Sequence, residues 1–502
     1  MTKPNISSRI LPDFVRRQSR RNILLCLTAL GALTGVLFGF TLRATTDFKP
    51  PVKNYFGTPG YLFIRALKFL ILPLITTNII TAIGGLSTQK TGKIAIRTFL
   101  FYLTTTFSAV IVGLVLVTTI RPGELGKNAF ETNTPKPFIF KRATIIDNFV
   151  YILKNLIPEN MIEMGFEVLE TKILPRYKTV YNYSNITNEN KSIRVIDYYE
   201  PVDDRKRGIN VLGLVLFSLT FGAMLAKVGP KGHTVLEFFE GLNAVFAKIM
   251  QLVMTCSPLA ICSLVCRIIL EMEDPKVVFR GLSYYMLTVL LGLAVQGLIV
   301  LPVVYVIVTG KSIFQFAKNM YRALISAFGS ASSAATLPVT YKCIEERNKI
   351  SKLVSRFVLP VGATVNLDGT ALYEAVASIF IAQISEIELT LLDLILTSLT
   401  ATLATMGAAG IPSAGLVTLL VVLSALNIPA SQITLIFAVD WILDRFRTMI
   451  NVWGDAVATA CVAHLSKKEI EQYEKNLSSK NMPSISSDFY QLNEIFDQKY
   501  PF

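Results

Sequence analysis

The stretch that decides this chain runs from Asp440 to Asp455, DWILDRFRTMINVWGD, inside a long apolar segment from Ile433 to Leu465. On an α-helix with Asp440 at zero, the next polar positions fall at about 40° (Asp444), about −20° (Arg447), about 80° (Thr448), about 20° (Asn451) and about 60° (Asp455). Six polar groups therefore share an arc of roughly 100°, while Trp441, Phe446 and Trp453 point elsewhere. A charged group at the centre of a bilayer costs at least ~2.5–3.5 kcal/mol, so such a stripe must face a cavity and its contents. A surface amphipathic helix would carry more Lys and Glu on its polar face. The stripe marks a binding site.

Around this helix the composition is that of a polytopic membrane protein. The chain has 502 residues, of which 52% are apolar and 17% charged, and a mean hydropathy of +0.50. A net charge of +14 is compatible with nucleic acid as a partner, but the basic residues lie mainly in short loops beside apolar spans. That is the positive-inside pattern, with lipid rather than nucleic acid as the partner. Six cysteines lie in or beside apolar stretches with no CxxC pair, which suits core packing. Two histidines in the whole chain make His-based metal chemistry improbable.

The first 21 residues are polar and basic with no small-residue cleavage site, which reads as a cytoplasmic tail. Apolar spans are expected at about 22–42, 60–86, 97–120, 209–228, 240–270 and 281–309. Lys90, Lys93 and Arg97, then Lys227 and Lys231, then Lys311, Lys318 and Arg322 mark the cytoplasmic loops. Up to residue 309 the spans read as ordinary. Between about 121 and 208 the chain turns polar and carries three acceptor sequons at Asn182, Asn185 and Asn190. Their clustering on the side opposite the basic loops predicts a glycosylated extracellular loop at a eukaryotic plasma membrane, with both termini cytoplasmic. The polar tail after about Leu465 reads as cytoplasmic.

Beyond residue 309 the spans are interrupted. AFGSASSAATLP and TMGAAGIPSAG are each flanked by apolar arms too short to cross a bilayer. Each reads as a re-entrant hairpin, with non-helical backbone tolerated only against protein or a wet cavity. The alternative is a pair of small-xxx-small packing faces. Each hairpin precedes a polar helix, a repeat expected of an inverted-repeat transporter. In GATVNLDGTALYE, Gly362 and Gly369 bracket Asn366 and Asp368, which suits a helix broken at mid-membrane with carbonyls freed for a hard cation. Glu374 shares a helix face with Thr370 and is suited to carry a proton near neutral pH. A structural glutamate paired with a buried arginine is the alternative.

Three long motifs, RFVLPVGATVNLDGTALYEA, GAAGIPSAGLVT and VDWILDRFRTMINVWGD, resemble the animal excitatory amino acid transporters, sodium-dependent carriers of glutamate and aspartate. The resemblance extends over about 22–470. It implies an all-α polytopic fold of eight transmembrane helices plus two re-entrant hairpins, working as an elevator in a homotrimer. The implied organisation is a tail (1–21), scaffold helices 1 and 2 (22–96), transport helix 3 (97–120), scaffold helices 4 and 5 with the extracellular loop (121–280), the transport core (281–465) and a C-terminal tail (466–502). Import of acidic amino acids would be driven by Na⁺ and H⁺ entry and K⁺ exit, with an uncoupled chloride conductance and no organic cofactor.

The resemblance also assigns residues. Ala331, Ser332 and Ser333 of the first hairpin and Ile411, Pro412, Ser413, Ala414 and Gly415 of the second would enclose the substrate. Asp444 would hold its α-amino group, Arg447 its side-chain carboxylate, and Thr370, Thr448 and Asn451 would complete the polar shell. A bidentate guanidinium pairing is not reproduced by lysine. One Na⁺ would take Gly362, Asn366, Asn451 and Asp455. A second would take Thr364, Thr405, Met406 and Ala408. A third would take Tyr102, Thr105 and Thr106 with Asn366 and Asp368; without the resemblance these threonines read equally well as helix-packing residues. Glu374 would couple H⁺ and K⁺.

Two departures stand out: Leu367 replaces the family's usual methionine, and Ala331 and Ala334 lack hydroxyls found in many relatives. A neutral amino acid exchanger of the same family would lack both Arg447 and Glu374. A pure chloride channel has no need of Asp444, Asn451 and Asp455 together. An intramembrane aspartyl hydrolase needs two facing carboxylates, whereas Asp440 and Asp444 stack on one helix beside an arginine. The chain reads as a transporter and not an enzyme.

Overall fold

The computed structural model describes residues 7–46, 50–85, 88–126, 150, 153–183, 190–272, 275–387, 389–408, 410, 412–426, 428 and 433–471. Three long helices come first: α1 (Ser7–Thr45), α2 (Pro50–Gly84) and α3 (Thr88–Ile120). Helix α1 starts well inside the stretch read as a tail. After two antiparallel strands come α4 (Val211–Val228), α5 (His233–Thr255), α6 (Ser257–Glu271) and α7 (Pro275–Val295). A π-helical segment, Gln296–Val300, joins α7 to α8 (Leu301–Thr309).

Among the described residues, six apolar helical segments are long enough to cross a membrane: Cys26–Thr45, Val52–Gly84, Lys93–Ile120, Leu212–Thr255, Pro275–Thr309 and Lys352–Ile384. The 15-residue α6 is short for a span on its own. The helix bearing the polar stripe is too charged to qualify by hydropathy, although it has 33 residues.

The strands were not foreseen. β1 (Glu167–Tyr183) pairs with β2 (Asn190–Arg207), from Glu167 opposite Arg207 to Tyr183 opposite Asn190. Val, Ile and Tyr occur along both strands, joined by Thr in β1, and favour a pleated ribbon. The many interspersed charges made the segment read as a loop. Asn182 and Asn190 lie at the end of this ribbon, and Asn185 lies outside the described residues.

Helix α1 packs on α6 through Gly31, Gly35 and Gly39, spaced by four; a Cβ at Gly31 or Gly35 would run into the backbone around Pro258 or Cys262. Arg43 closes the end of this contact by donating to the carbonyls of Ile269 (3.0 Å) and Met272 (2.7 Å).

The remaining elements form two helix–turn–helix units, the first followed by two helices in succession and the second by one long helix. In the first, α9 (Ile313–Ser330) turns at Ala331 into α10 (Ser333–Tyr341); α11 (Lys352–Val365) and α12 (Asp368–Ile384) follow. In the second, α13 (Leu391–Met406) returns as α14 (Ala414–Ala425), and α15 (Ile433–Leu465) follows. Both turns hold a non-glycine residue in the left-handed region, Ala331 (φ 49°) and Ser413 (φ 58°). That conformation costs an L-residue roughly 1–2 kcal/mol, so the surrounding structure must impose it.

Helix α11 ends at Val365, and Asn366 (φ −101°, ψ 75°) and Leu367 (φ −107°, ψ 60°) leave helical geometry before α12 resumes. Helix α12 is apolar almost all round and buried along nearly its whole length, as a helix at the centre of a bundle must be. It is the post against which α3, α7, α14 and α15 pack.

Candidate substrate and cation site

The two turns converge on the broken helix and on the polar face of α15. Ala331, Ser333, Leu367, Thr370, Gly410, Ala414, Gly415, Asp444, Arg447, Thr448 and Asn451 line one small pocket. The turns touch one another directly. Ser332 Oγ donates to the Gly410 carbonyl (2.6 Å), and the Ala334 amide donates to the same oxygen (3.3 Å). Ser332 also caps α10 by accepting from the Ala335 amide (3.3 Å). It thus holds the two turns together and is absent from the pocket lining. Ile411 lies outside the described residues, and Pro412 and Ser413 are half-buried at the turn.

Arg447 is the largest of the fully buried side chains. Its guanidinium donates to Asp440 Oδ1 (3.2 Å) and Asp444 Oδ1 (2.5 Å), and its carbon stands 4.2 Å from the centre of the Tyr373 ring. These positions share a helix face, so two turns of α15 build the ion-pair set unaided. Asp444 Oδ2 accepts from the backbone amide of Ser413 (2.9 Å), which ties the second turn to the stripe. Gly415 permits the close approach: a Cβ there would stand 2.8 Å from Arg447 Nη1.

Glu374 is fully buried on α12, yet its ion-pair partner is not Arg447, which is committed to the two aspartates. Thr418 Oγ1 of α14 donates to Glu374 Oε1, and Oε2 has no partner. A carboxyl group with one orphaned buried oxygen has an open position for a proton or a cation.

A second polar cluster lies where α3 crosses the helix break. Thr106 Oγ1 donates to Asp368 Oδ1 (2.9 Å) and Thr105 Oγ1 to Asn366 Oδ1 (3.2 Å). Asn366 Nδ2 donates to Asp455 Oδ1 (3.1 Å). Asn451 accepts from the Gly369 amide (2.8 Å) and donates to Thr370 Oγ1 (3.1 Å). Tyr102 donates its hydroxyl hydrogen to the Val358 carbonyl (2.8 Å), leaving its oxygen lone pairs for another partner. A Cβ at Gly362 would strike the Asp455 carboxylate and the Tyr102 hydroxyl.

The expected residues of the first and third cation sites thus share one cluster rich in hard oxygen. For the second, Met406 packs in the same apolar group as Val365, next to Thr364, while the Thr364 and Thr405 hydroxyls turn back onto the carbonyls of Val361 and Ala401. Backbone oxygens and the lone pairs of those two hydroxyls are what this place offers an ion. Among the described residues no group of three His, Cys, Asp or Glu side chains could hold a metal. Amide, hydroxyl and paired carboxylate oxygens suit a hard cation.

Three contributors escaped the sequence reading. Thr418, in an apolar run, gave no sign that it faces Glu374. Asn78 of α2 donates to the Gly407 carbonyl (3.1 Å) in the second turn. Gln296, in a span read as ordinary, is fully buried with its amide 3.4 Å from Asp368 Oδ2. A lone glutamine in the run GLAVQGLIVLP was the available signal for it.

Comparison with known proteins matches residues 24–465 to the sodium:dicarboxylate symporter family. The chain is 43% identical over 470 residues to excitatory amino acid transporter 3 of Mus musculus, covering 91% of this chain and 88% of that one. It is 40% identical over 477 residues to excitatory amino acid transporter 5 of Mus musculus, with 91% and 84% covered. An excitatory amino acid transporter of Caenorhabditis elegans is 40% identical over 481 residues, with 95% of each chain covered.

Proposed function

This chain belongs to the sodium:dicarboxylate symporter family, whose members are transporters rather than enzymes, and we propose that it imports acidic amino acids across the plasma membrane on a Na⁺ gradient. The observation that carries the substrate class is the buried Asp440–Arg447–Asp444 set opening on a pocket enclosed by both helical turns. Arg447 and Asp444 neutralise one another while the pocket is empty. A substrate with an ammonium group and a second carboxylate replaces both halves of that pair: its ammonium takes Asp444 and its side-chain carboxylate takes Arg447. Asp440 remains behind as the anchor of the guanidinium. A neutral amino acid supplies only the first half and would leave Arg447 underpaired, at a cost of several kcal/mol for a buried charge.

Na⁺ binds at the cluster of Tyr102, Thr105, Thr106, Gly362, Asn366, Asp368, Asn451 and Asp455, and at the backbone oxygens around Thr364, Thr405, Met406 and Ala408. Ions there fix the broken helix and the second turn, so that the substrate completes a neutralised site able to cross. Glu374 carries a proton inward and, once deprotonated, permits a K⁺-bound return. The working assembly in this reading is a homotrimer of eight-span protomers in lipid. The two turns are re-entrant, segments 97–120 and 281–465 slide against the rest, a chloride conductance accompanies transport, both termini are cytoplasmic, and the polar segment from 121 to 208 is glycosylated outside.

The test is uptake of labelled L-glutamate into proteoliposomes with Na⁺ outside and K⁺ inside, for the wild type and Arg447→Cys. Na⁺-dependent glutamate uptake that is lost in the variant, with a gain of serine or alanine transport, is the expected result. Wild-type uptake of alanine in preference to glutamate would instead make it a neutral exchanger. A substrate-gated chloride current without uptake would make it mainly a channel.

A further inference from the structure

Gln296 opens the π-helical segment between α7 and α8, and its position there has a local cause. Pro302 has no amide hydrogen to give the carbonyl one turn earlier, and the helix widens ahead of it. Trp453 Nε1 of α15 donates to the Gly297 carbonyl (3.0 Å), and a Cβ at Gly297 would strike Ile450. The bulge is therefore fixed against the stripe-bearing helix, and Gln296 is held at the cation cluster.

Its side-chain nitrogen faces three oxygens: the Thr105 carbonyl (3.3 Å), Ser108 Oγ (3.5 Å) and Asp368 Oδ2 (3.4 Å). One carbonyl, one hydroxyl and one carboxylate oxygen make the kind of set a hard cation takes. The bonds are long against the usual 2.9–3.0 Å, and two amide hydrogens cannot satisfy three acceptors at once. At the other end of the amide, Oε1 is buried and has no partner. No hydrogen bond there restrains the amide from turning away.

We propose that the Gln296 amide is a built-in stand-in for the coupling cation. In the cation-free protein its N–H groups cover the oxygens of Thr105 and Asp368, and it gives them up when Na⁺ arrives. Gln296 is thus a positioning residue that sets cation affinity by stabilising the empty site. The inference rests on the assignment of a Na⁺ site to this cluster.

Removing the donors should raise the energy of the empty form only. The experiment is thermal unfolding of the purified full-length chain, free of substrate, titrated with NaCl against choline chloride, for the wild type and Gln296→Met, which keeps length and loses both donors. For Gln296→Met the midpoint in choline should fall, the midpoint at saturating Na⁺ should match the wild type, and the half-saturating Na⁺ concentration should drop about three- to tenfold. Equal loss of stability in both salts would make Gln296 a packing residue and overturn the proposal. A half-saturating concentration that stays put or rises would overturn it too, the rise marking Gln296 as a cation ligand. Should the Met variant fail to fold, Gln296→Asn, whose shorter amide cannot reach all three oxygens, is read the same way. A wild type without any Na⁺ response overturns the cation site itself, whereas a wild-type response with an unmoved variant overturns the stand-in alone.

Discussion

Four aspartates are buried around the broken helix, and they fall into two unlike pairs. Asp440 and Asp444 enclose Arg447, so their counter-charge is part of the chain. Asp368 and Asp455 are held by neutral donors, the Thr106 hydroxyl and the Gln296 and Asn366 amides, and neither makes an ion pair among the described residues. Burying a carboxylate costs several kcal/mol unless an opposite charge compensates it. On the function proposed above, the first pair exchanges partners with a charged amino acid, and the second pair, uncompensated within the described residues, takes its positive charge from a cation in solution. The same side chain would then serve recognition in one place and coupling in the other, the difference lying in where the positive charge comes from.

Removing that internal charge should have the largest effect. Arg447→Cys leaves Asp440 and Asp444 facing each other without compensation, which should cost about 3–5 kcal/mol of stability and more than 100-fold in acidic-substrate affinity. Adding Asp440→Asn should restore most of the lost thermal stability without restoring glutamate uptake. If the single variant is as stable as the wild type, Arg447 is not the counter-charge of the first pair.

The second pair should respond with the opposite sign in stability. Asp368→Asn removes a charge that nothing inside the chain neutralises, so the Na⁺-free protein should unfold at the same or a higher temperature than the wild type. Its Na⁺ requirement should rise about 30- to 100-fold, on the order of 2–3 kcal/mol. Uptake measured against external Na⁺, beside melting curves in choline, checks both halves. A variant that melts early in choline would mean the two pairs are built alike.

How much of this contrast was legible in the sequence follows from how far each signal travels along the chain. The stripe of α15 and the break at Asn366 and Leu367 are local, because helical spacing and flanking glycines encode them within one segment. The partners across space were not legible. Glu374 reads from the sequence as a proton carrier or else as the partner of a buried arginine, and only the packing of α14 on α12 shows Thr418 donating to it. Ser332 reads as a ligand residue, and only the second turn shows its hydroxyl donating to the Gly410 carbonyl. Gln296 lies about 70 positions from Asp368, and the bulge that turns it inward depends on Pro302 and on Trp453 in a different helix. The β-ribbon was hidden for another reason: charges interspersed among its tyrosines and β-branched residues break the apolar alternation by which a strand is read.

A smaller effect should come from the second turn, which packs over the first pair. In Gly415→Ala the added methyl meets the guanidinium that Asp440 and Asp444 hold in place, so the second turn must retreat by a few tenths of an ångström or more. The expected result is a rise in the apparent Km for glutamate of about tenfold, near 1.4 kcal/mol, with Na⁺ dependence little changed. A change in Na⁺ dependence as large as that in substrate Km would show that the turn and the cation cluster move as one body.

The smallest effect is expected at Leu367, which lies at the helix break beside Asp368 and lines the pocket with Asp444. Its backbone carbonyl accepts from the amides of Thr370 and Ala371 (2.9 Å each), so that oxygen is engaged in starting α12. Whatever the residue contributes to ion binding therefore goes through packing of its buried side chain at the pocket wall. Leucine and methionine occupy similar volumes, and exchanges of this kind usually cost less than 1.5 kcal/mol. Leu367→Met should accordingly shift half-saturating Na⁺ and glutamate Km by no more than about threefold, and by similar factors, since the side chain touches the pocket without contributing charge to either pair. A shift confined to Na⁺ would place the side chain on the cation side of the divide, and one confined to glutamate would place it on the substrate side.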